Sequence, residues 1–204
     1  MAIITVVGAS GTVQVTVDGA QNTAFVSRTQ ALADQLQSNI STLDAQNLTK
    51  GSNAAAAGNQ AGYGVITAAG SYQVSGNYQW LTAGSPTAEP LDSWVNIDAS
   101  KVTASTGYLS VIAGTTAGVA FHANSQSGLF VGGSGDNLFQ GDYLDANPGA
   151  WDIRTGDGND TINGGNGNDT IYAGAGNNTI TLGTGVNYVH SDGQDTITAN
   201  AGTQ

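Results

Sequence analysis

The sequence predicts a mainly β chain: a right-handed parallel β-solenoid, of the β-roll or β-helix kind, with a small N-terminal unit made of a β-hairpin and one helix. Three observations carry this expectation. Residues 155–183, TGDGNDTINGGNGNDTIYAGAGNNTITLG, say nearly the same thing every nine residues. From Tyr63 onward, short β-rich runs follow one another with small or polar residues between them. Many short strands with tight turns belong to sandwiches, barrels or solenoids, and the nine-residue period selects the last.

Each element follows in order. AIITVV at 2–7 and TVQVTV at 12–17 are β-branched runs separated by GASG, which predicts a hairpin. Phe25, Thr29, Leu32, Leu36, Ile40 and Leu43 then fall at steps of three and four, one face of a helix with Asn22 or Thr23 as its N-cap. Residues 1–50 form this N-terminal unit, suited to cap the solenoid or to serve assembly. Residues 51–62 lose all periodicity and read as a linker. The solenoid is expected over 63–204, with repeats at 132–140 and 155–198.

Composition narrows the function. The chain carries 30 Gly, and charged residues make up 9% of it, against about 25% in an average soluble domain. Its net charge is −11, with Arg28, Lys50, Lys101 and Arg154 as the only Lys or Arg. Four scattered cations do not build a phosphate-binding patch, so no nucleic-acid partner is expected. No run approaches the roughly 18 apolar residues of a membrane span. The segment MAIITVVGASG has no basic start and too short an apolar run for a cleaved secretory signal. The absence of Cys removes disulfides and thiolate metal sites and suits a protein that works outside the cell.

Aligned in nines, the units are TGDGNDTIN, GGNGNDTIY, AGAGNNTIT and LGTGVNYVH from Thr155, then a short SDGQDTIT. An earlier copy, GGSGDNLFQ, starts at Gly132, and GDYLDANPGAWDIR stands between it and the main run. This pattern resembles the RTX family of calcium-binding nonapeptide repeats, G-G-x-G-x-D-x-U-x. The resemblance implies a six-residue turn and a three-residue strand per unit, with two units per coil. It also implies glycines that give the turn φ > 0, an inward stack of Phe139, Ile162, Ile171, Ile180, Val189 and Ile197, and Ca2+ between successive turns. The sixth position is Asp at Asp160, Asp169 and Asp195, and Asn at Asn137, Asn178 and Asn187. Asp160 should therefore face Asn178, and Asp169 should face Asn187. Two outcomes remain open: calcium held by Asp160, Asp169 and Asp195 with Asn178 and Asn187 as neutral co-ligands, or a metal-free Asn/Asp ladder.

Nothing else in the sequence argues for catalysis. His122 and His190 have no partner pattern, and Glu89, Asp92, Asp98, Asp142, Asp145 and Asp152 are the loose carboxylates. Trp80, Trp94 and Trp151, with Tyr72, Tyr78, Tyr143 and Tyr188, can fill wide coils or form a strip for sugars. The TIT runs at 179–181 and 196–198 are too few for a flat ice-binding array. The expectation is a secreted, non-enzymatic bacterial structural protein, a surface-layer, matrix or adhesin subunit. It is held firm by calcium, loose where calcium is low, and stacked head to tail through its open strand edges. A carbohydrate-binding or carbohydrate-cleaving β-helix is the alternative.

Overall fold

The computed structural model describes residues 2–8, 11–17, 23–55, 60–85, 91–145 and 147–200. Asn22, Glu89 and the turn at 9–10 lie outside them, as do the side chains of Phe25 and Ile40. Strands β1 (Ala2–Gly8) and β2 (Gly11–Val17) pair antiparallel without a register break, as the β-branched runs predict. Helix α1 (Thr23–Asn39) follows, then one 3-10 turn at Ile40–Thr42. Ser38 and Asn39 bond back to the Gln35 carbonyl at 2.8 and 2.9 Å, and Thr42 to the Asn39 carbonyl at 2.7 Å. These local bonds close the helix. Leu43, expected as the last member of the helical stripe, is instead the first residue of a strand.

From that point the chain coils. The first sheet holds β4 (Gly51–Ala54), β6 (Gly70–Gly76), β8 (Val95–Val102), β10 (Val119–His122), β12 (Leu138–Gln140), β14 (Thr161–Asn163), β16 (Thr179–Leu182) and β18 (Thr196–Ala199). The second holds β3 (Leu43–Asn47), β5 (Ala61–Ile66), β7 (Tyr78–Ala83), β9 (Tyr108–Ala113), β11 (Ser127–Val131), β13 (Trp151–Arg154), β15 (Thr170–Tyr172) and β17 (Tyr188–His190). Every pair within these two sheets is parallel, and strands alternate between sheets, which makes a solenoid of about eight turns.

Two stretches differ from expectation. The coil starts at Leu43, not Tyr63, and β4 lies inside the stretch expected to be linker. GSNA has no apolar alternation to betray a strand. It is held by pairing with β6 and by the Asn53 amide, which donates to the Thr49 and Gly51 carbonyls. Likewise GDYLDANPGAWDIR is no interruption. It supplies the half-coil that contains β13. Asn137 and Asp160, 23 residues apart, therefore still meet, just as Asp160 and Asn178 do at a separation of 18.

The core is two facing columns. Tyr72, Ile97, Phe121, Phe139, Ile162, Ile180 and Ile197 lie in register along the first sheet. Leu81, Val111, Phe130, Ile153, Ile171 and Val189 do so along the second. At the junction with the repeats, Phe121, Phe130, Phe139 and Trp151 pack with ring centroids 5.3–5.8 Å apart. Trp151 thus belongs to the core. On the outside of the second sheet, Leu32, Ala33 and Leu36 of α1 share one apolar cluster with Tyr63, Val65, Trp80, Ile112, Leu129 and Val131. The helix therefore lies on the flank of the solenoid, with β1 running beside it.

Phe139 packs against Phe121, Phe130 and Trp151 and lies at the junction of the plain coils and the repeats. Phe139→Ala should cost about 3–5 kcal/mol, measured as a lowered urea midpoint with the slope unchanged.

Candidate metal centre at the repeat corners

The corners of the coil come from the G-x-G turns. Gly174 has φ +69° and Gly176 φ +108°, and a Cβ on either would sit very close to a carbonyl oxygen of the coil below (1.9 Å to Gly156, 2.2 Å to Gly158). Most other repeat glycines do not have positive φ: Gly165, Gly174 and Gly176 do, while Gly158, Gly167, Gly183 and Gly185 do not. What the repeat requires at those four is close approach between stacked turns, more than the left-handed backbone expected from the family pattern.

The sixth-position side chains, all buried except the part-buried Asp195, form a ladder. An oxygen of each accepts the backbone N–H of its counterpart one coil earlier. Asp160 takes Asn137 N at 2.7 Å, Asn178 takes Asp160 N at 2.8 Å, and Asp195 takes Asn178 N at 2.9 Å. On the opposite corner Asp169 takes Trp151 N and Asn187 takes Asp169 N, both at 2.9 Å. Asp160 does meet Asn178, and Asp169 meets Asn187. Most of these contacts run from side chain to backbone; the side-chain-to-side-chain bond expected of a metal-free ladder occurs where the Asn137 amide donates to Asp160 at 3.0 Å.

A second ladder was missed in the sequence. The Asn or Asp at the fifth position works in the opposite sense, accepting an N–H from the following coil. Asp136 takes Asn159 N at 2.7 Å, Asn159 takes Asn177 N at 2.9 Å, and Asn168 takes Val186 N at 2.7 Å. The recurrence of Asn159, Asn168 and Asn177 was the available signal, in a place the family pattern leaves free.

Asn and Asp differ in their second atom. The Asn137 amide donates to the Gly133 and Gly135 carbonyls, Asn178 to Ala173, and Asn187 to Gly185. Each Asn thereby satisfies carbonyls of its own turn. Asp160 and Asp169 have an oxygen in place of that amide nitrogen. Both Oδ2 atoms are buried without a hydrogen-bond partner. The Thr155 hydroxyl lies near Asp160, but its single proton goes to the Ala173 carbonyl at 2.9 Å. Beside Asp169 stands Gly164, where an added Cβ would lie 2.7 Å from Oδ2, so the glycine leaves the space open. Asp195 is only partly buried, and the Ser191 hydroxyl donates to it at 2.6 Å. Burial pushes the Asp160 carboxyl up from 3.8 to about 7 against the opposing N–H of Asn137, and burial does the same to Asp169 against the N–H of Trp151.

An unpartnered buried carboxylate oxygen, in a turn rich in carbonyls, is the chemistry of a hard-cation site. The residues present fit calcium at Asp160 and Asp169. Among the described residues no group of three or more His, Cys, Asp or Glu is placed to hold a metal. Each corner therefore offers one carboxylate and neutral oxygens.

Residues 154–189 match the family model of the RTX calcium-binding nonapeptide repeat, in four copies. This part of the chain is built of RTX repeats. Neither the curated proteins nor the solved structures gave a match. The RTX stretch coincides with β14 to β17 and their corners, where the two unpartnered oxygens lie.

The other expected residues do not converge. Asp142 and Asp145 cap their own loop, accepting Leu144 N and Asn147 N. Asp152 pairs with Arg154 at 2.9 Å, His190 with Asp192 at 3.1 Å, and His122 stands 3.8 Å from Asp98. Trp80 and Trp151 are buried and only Trp94 is exposed, at 46%. The three tryptophans expected as one possible strip are thus dispersed.

The raised carboxyls give a signed pH dependence. Their folded pKa lies above the unfolded value, so without metal the folded state binds the extra protons. Stability from this source is present below about pH 4 and is lost as pH rises towards 7, by about 1.4 kcal/mol per pH unit per carboxyl. In chelator, the melting temperature should fall between about pH 4.5 and 7.5. Asp160→Asn with Asp169→Asn keeps both ladder acceptors and should flatten that fall.

Proposed function

We propose that the chain is a secreted bacterial structural protein whose solenoid is reinforced by calcium. Asp160 and Asp169 are the principal ligands. Asp195 lies at the more open corner, and Asn178 and Asn187 supply neutral oxygens from the adjacent coil. The observation that carries this reading is the pair of buried Oδ2 atoms left without a donor inside RTX turns. Calcium, when bound, supplies positive charge that a proton otherwise provides. The turn glycines let carbonyls approach, and the ladders fix the carboxylates in place.

Export fits the RTX repeats, the acidity and the absence of Cys. Among the described residues no helix is long and apolar enough to cross a membrane. Weak extracellular sites work at about millimolar calcium, which matches one carboxylate per corner. What supports self-association is the edge strand β18, which among the described residues pairs with β16, and the 47% exposure of Ile197 on it. Addition of a second copy there extends both sheets head to tail.

Millimolar calcium should raise the melting temperature at about pH 7.5, where both carboxyls favour a cation over a proton. The Asp160→Asn, Asp169→Asn double variant should lose most of that rise. Electron microscopy with calcium should show particles that lengthen with protein concentration and shorten in chelator. Unchanged melting in calcium refutes the metal role, and particles of one fixed size refute the filament.

A further inference from the structure

The outer face of the second sheet changes character along its length. Its two outward columns are Tyr63, Trp80, Ser110, Leu129, Asp152, Thr170, Tyr188 and Val65, Thr82, Ile112, Val131, Arg154, Tyr172, His190. The apolar members lie beneath α1 and its neighbours. Where α1 meets the sheet there is a groove of about 480 Å3, with Trp80 in its lining and Tyr108 at its edge. That volume is within the range of small-ligand sites. Its walls are mostly amide and hydroxyl side chains, among them Gln35, Asn39, Gln79 and Ser110, with Arg28 as its one cation.

The groove leads onto the uncovered part of the face. Tyr108 lies on β9 two residues before Ser110 and so on the same outward face. The Arg154 guanidinium lies 4.1 Å from the Tyr172 ring centroid, and Tyr172 lies 6.1 Å from Tyr188 and 5.6 Å from His190. Tyr108 and Tyr188 are 42% and 56% exposed. So half of the chain's four Lys and Arg, one of its two His and three of its Tyr gather along one strip of an otherwise acidic molecule. From β9 to β17 the strip crosses four coil steps, about 19 Å at about 4.8 Å each.

We propose that this strip binds a neutral polysaccharide laid along the solenoid axis. The exposed rings of Tyr108 and Tyr188 give flat apolar platforms with a polar tip, and the part-buried Tyr172, with Arg154 over its ring, packs beside Tyr188 and His190. The amides and hydroxyls of the groove match a ligand that is mostly hydroxyl. A polyanion is disfavoured, because Asp152 already neutralises Arg154 through contacts of 2.9 and 3.0 Å. An apolar ligand is disfavoured by the amide walls. A single sugar does not account for a strip that continues over successive coils. The rings lie on the outer strand face, but Tyr188 directly follows Asn187 of the ladder and its N–H meets the Asp169 carbonyl at 2.9 Å, so the calcium and chelator arms of the test are what separate this inference from the metal role.

The test is native affinity electrophoresis of the full chain in gels containing dextran, mixed-linkage β-glucan, xylan or, as the anionic arm, alginate, each with calcium and with chelator. At least one neutral polymer should retard the protein in both conditions. Tyr108→Ala and Tyr172→Ala should each weaken that retardation about tenfold, while Trp94→Ala, a ring exposed elsewhere, leaves it unchanged. Tyr172 is outside the α1 cluster, so its variant remains informative if Tyr108→Ala perturbs the groove, and far-UV circular dichroism checks both folds. Absence of retardation by all three neutral polymers overturns the proposal. So does binding to alginate alone that disappears in Arg28→Ala, or retardation that both folded tyrosine variants retain.

Discussion

In the regular repeats each strand residue lies over its equivalent 18 residues away, and the coil exists only if that contact is favourable at each position. A parallel sheet meets the requirement along its strands, because backbone groups pair with the coils on either side. At the corners this provision is incomplete: the sixth-position carbonyls accept N–H groups of the next coil, as that of Asp160 does from Thr179, but the fifth- and sixth-position N–H groups depend on side chains. These N–H groups point along the axis, and a buried donor without an acceptor costs about 1–3 kcal/mol. The fifth and sixth positions of the repeat answer this jointly. One side chain reaches forward to the next coil and the other reaches back, so consecutive corner donors are taken up in opposite directions. Gln194 departs from this: although Asn177 lies one coil before it, its N–H meets the Gly176 carbonyl at 3.1 Å.

This requirement separates what the sequence discloses from what it hides. Columns of Ile and Phe were legible because the apolar position returns every nine residues. The pairing of Asp160 with Asn178 was legible from the two-unit coil. The sheet around Gly51–Ala54 was not, because a strand held by its backbone and by the Asn53 amide leaves no hydrophobic trace. The half-coil containing Trp151 was hidden differently. It keeps an Ile in the column at Ile153, adds the buried Trp151 beside it, and lengthens the coil from 18 residues to 23. Gly128, where any Cβ would lie 2.5 Å from the Trp151 ring, keeps the stacking intact. The role of Asn159 and its counterparts was hidden because the family pattern assigns no residue there.

The corners also show why Asn and Asp are not interchangeable. Both provide the oxygen that the ladder needs. Only Asn brings donors for the carbonyls of its own turn, so an Asn turn is complete without a metal. An Asp turn is complete once a proton or a cation sits between its second oxygen and those carbonyls. Serine at position one offers a third solution, as Ser191 does for Asp195. Thr155 cannot do the same for Asp160 while it donates to Ala173. The first residue of the unit thus decides how much an Asp corner depends on an added positive charge, and Gly164 leaves Asp169 the most dependent.

The alternation along each corner has a further consequence. Two carboxylates on successive coils, about 4.8 Å apart, repel by about 3.5 kcal/mol at an effective dielectric constant of about 20. A corner with Asp on every coil would accumulate that cost at each step and would hold together only with calcium. Here Asn178 stands between Asp160 and Asp195, and Asn187 follows Asp169, so no two sixth-position carboxylates meet. Repulsion between corner carboxylates therefore does not oppose the coil in the absence of calcium. On the proposed reading calcium adds stability at Asp160 and Asp169 to a coil that the apolar columns and both ladders also hold, which tempers the expectation of a molecule that is loose wherever calcium is scarce.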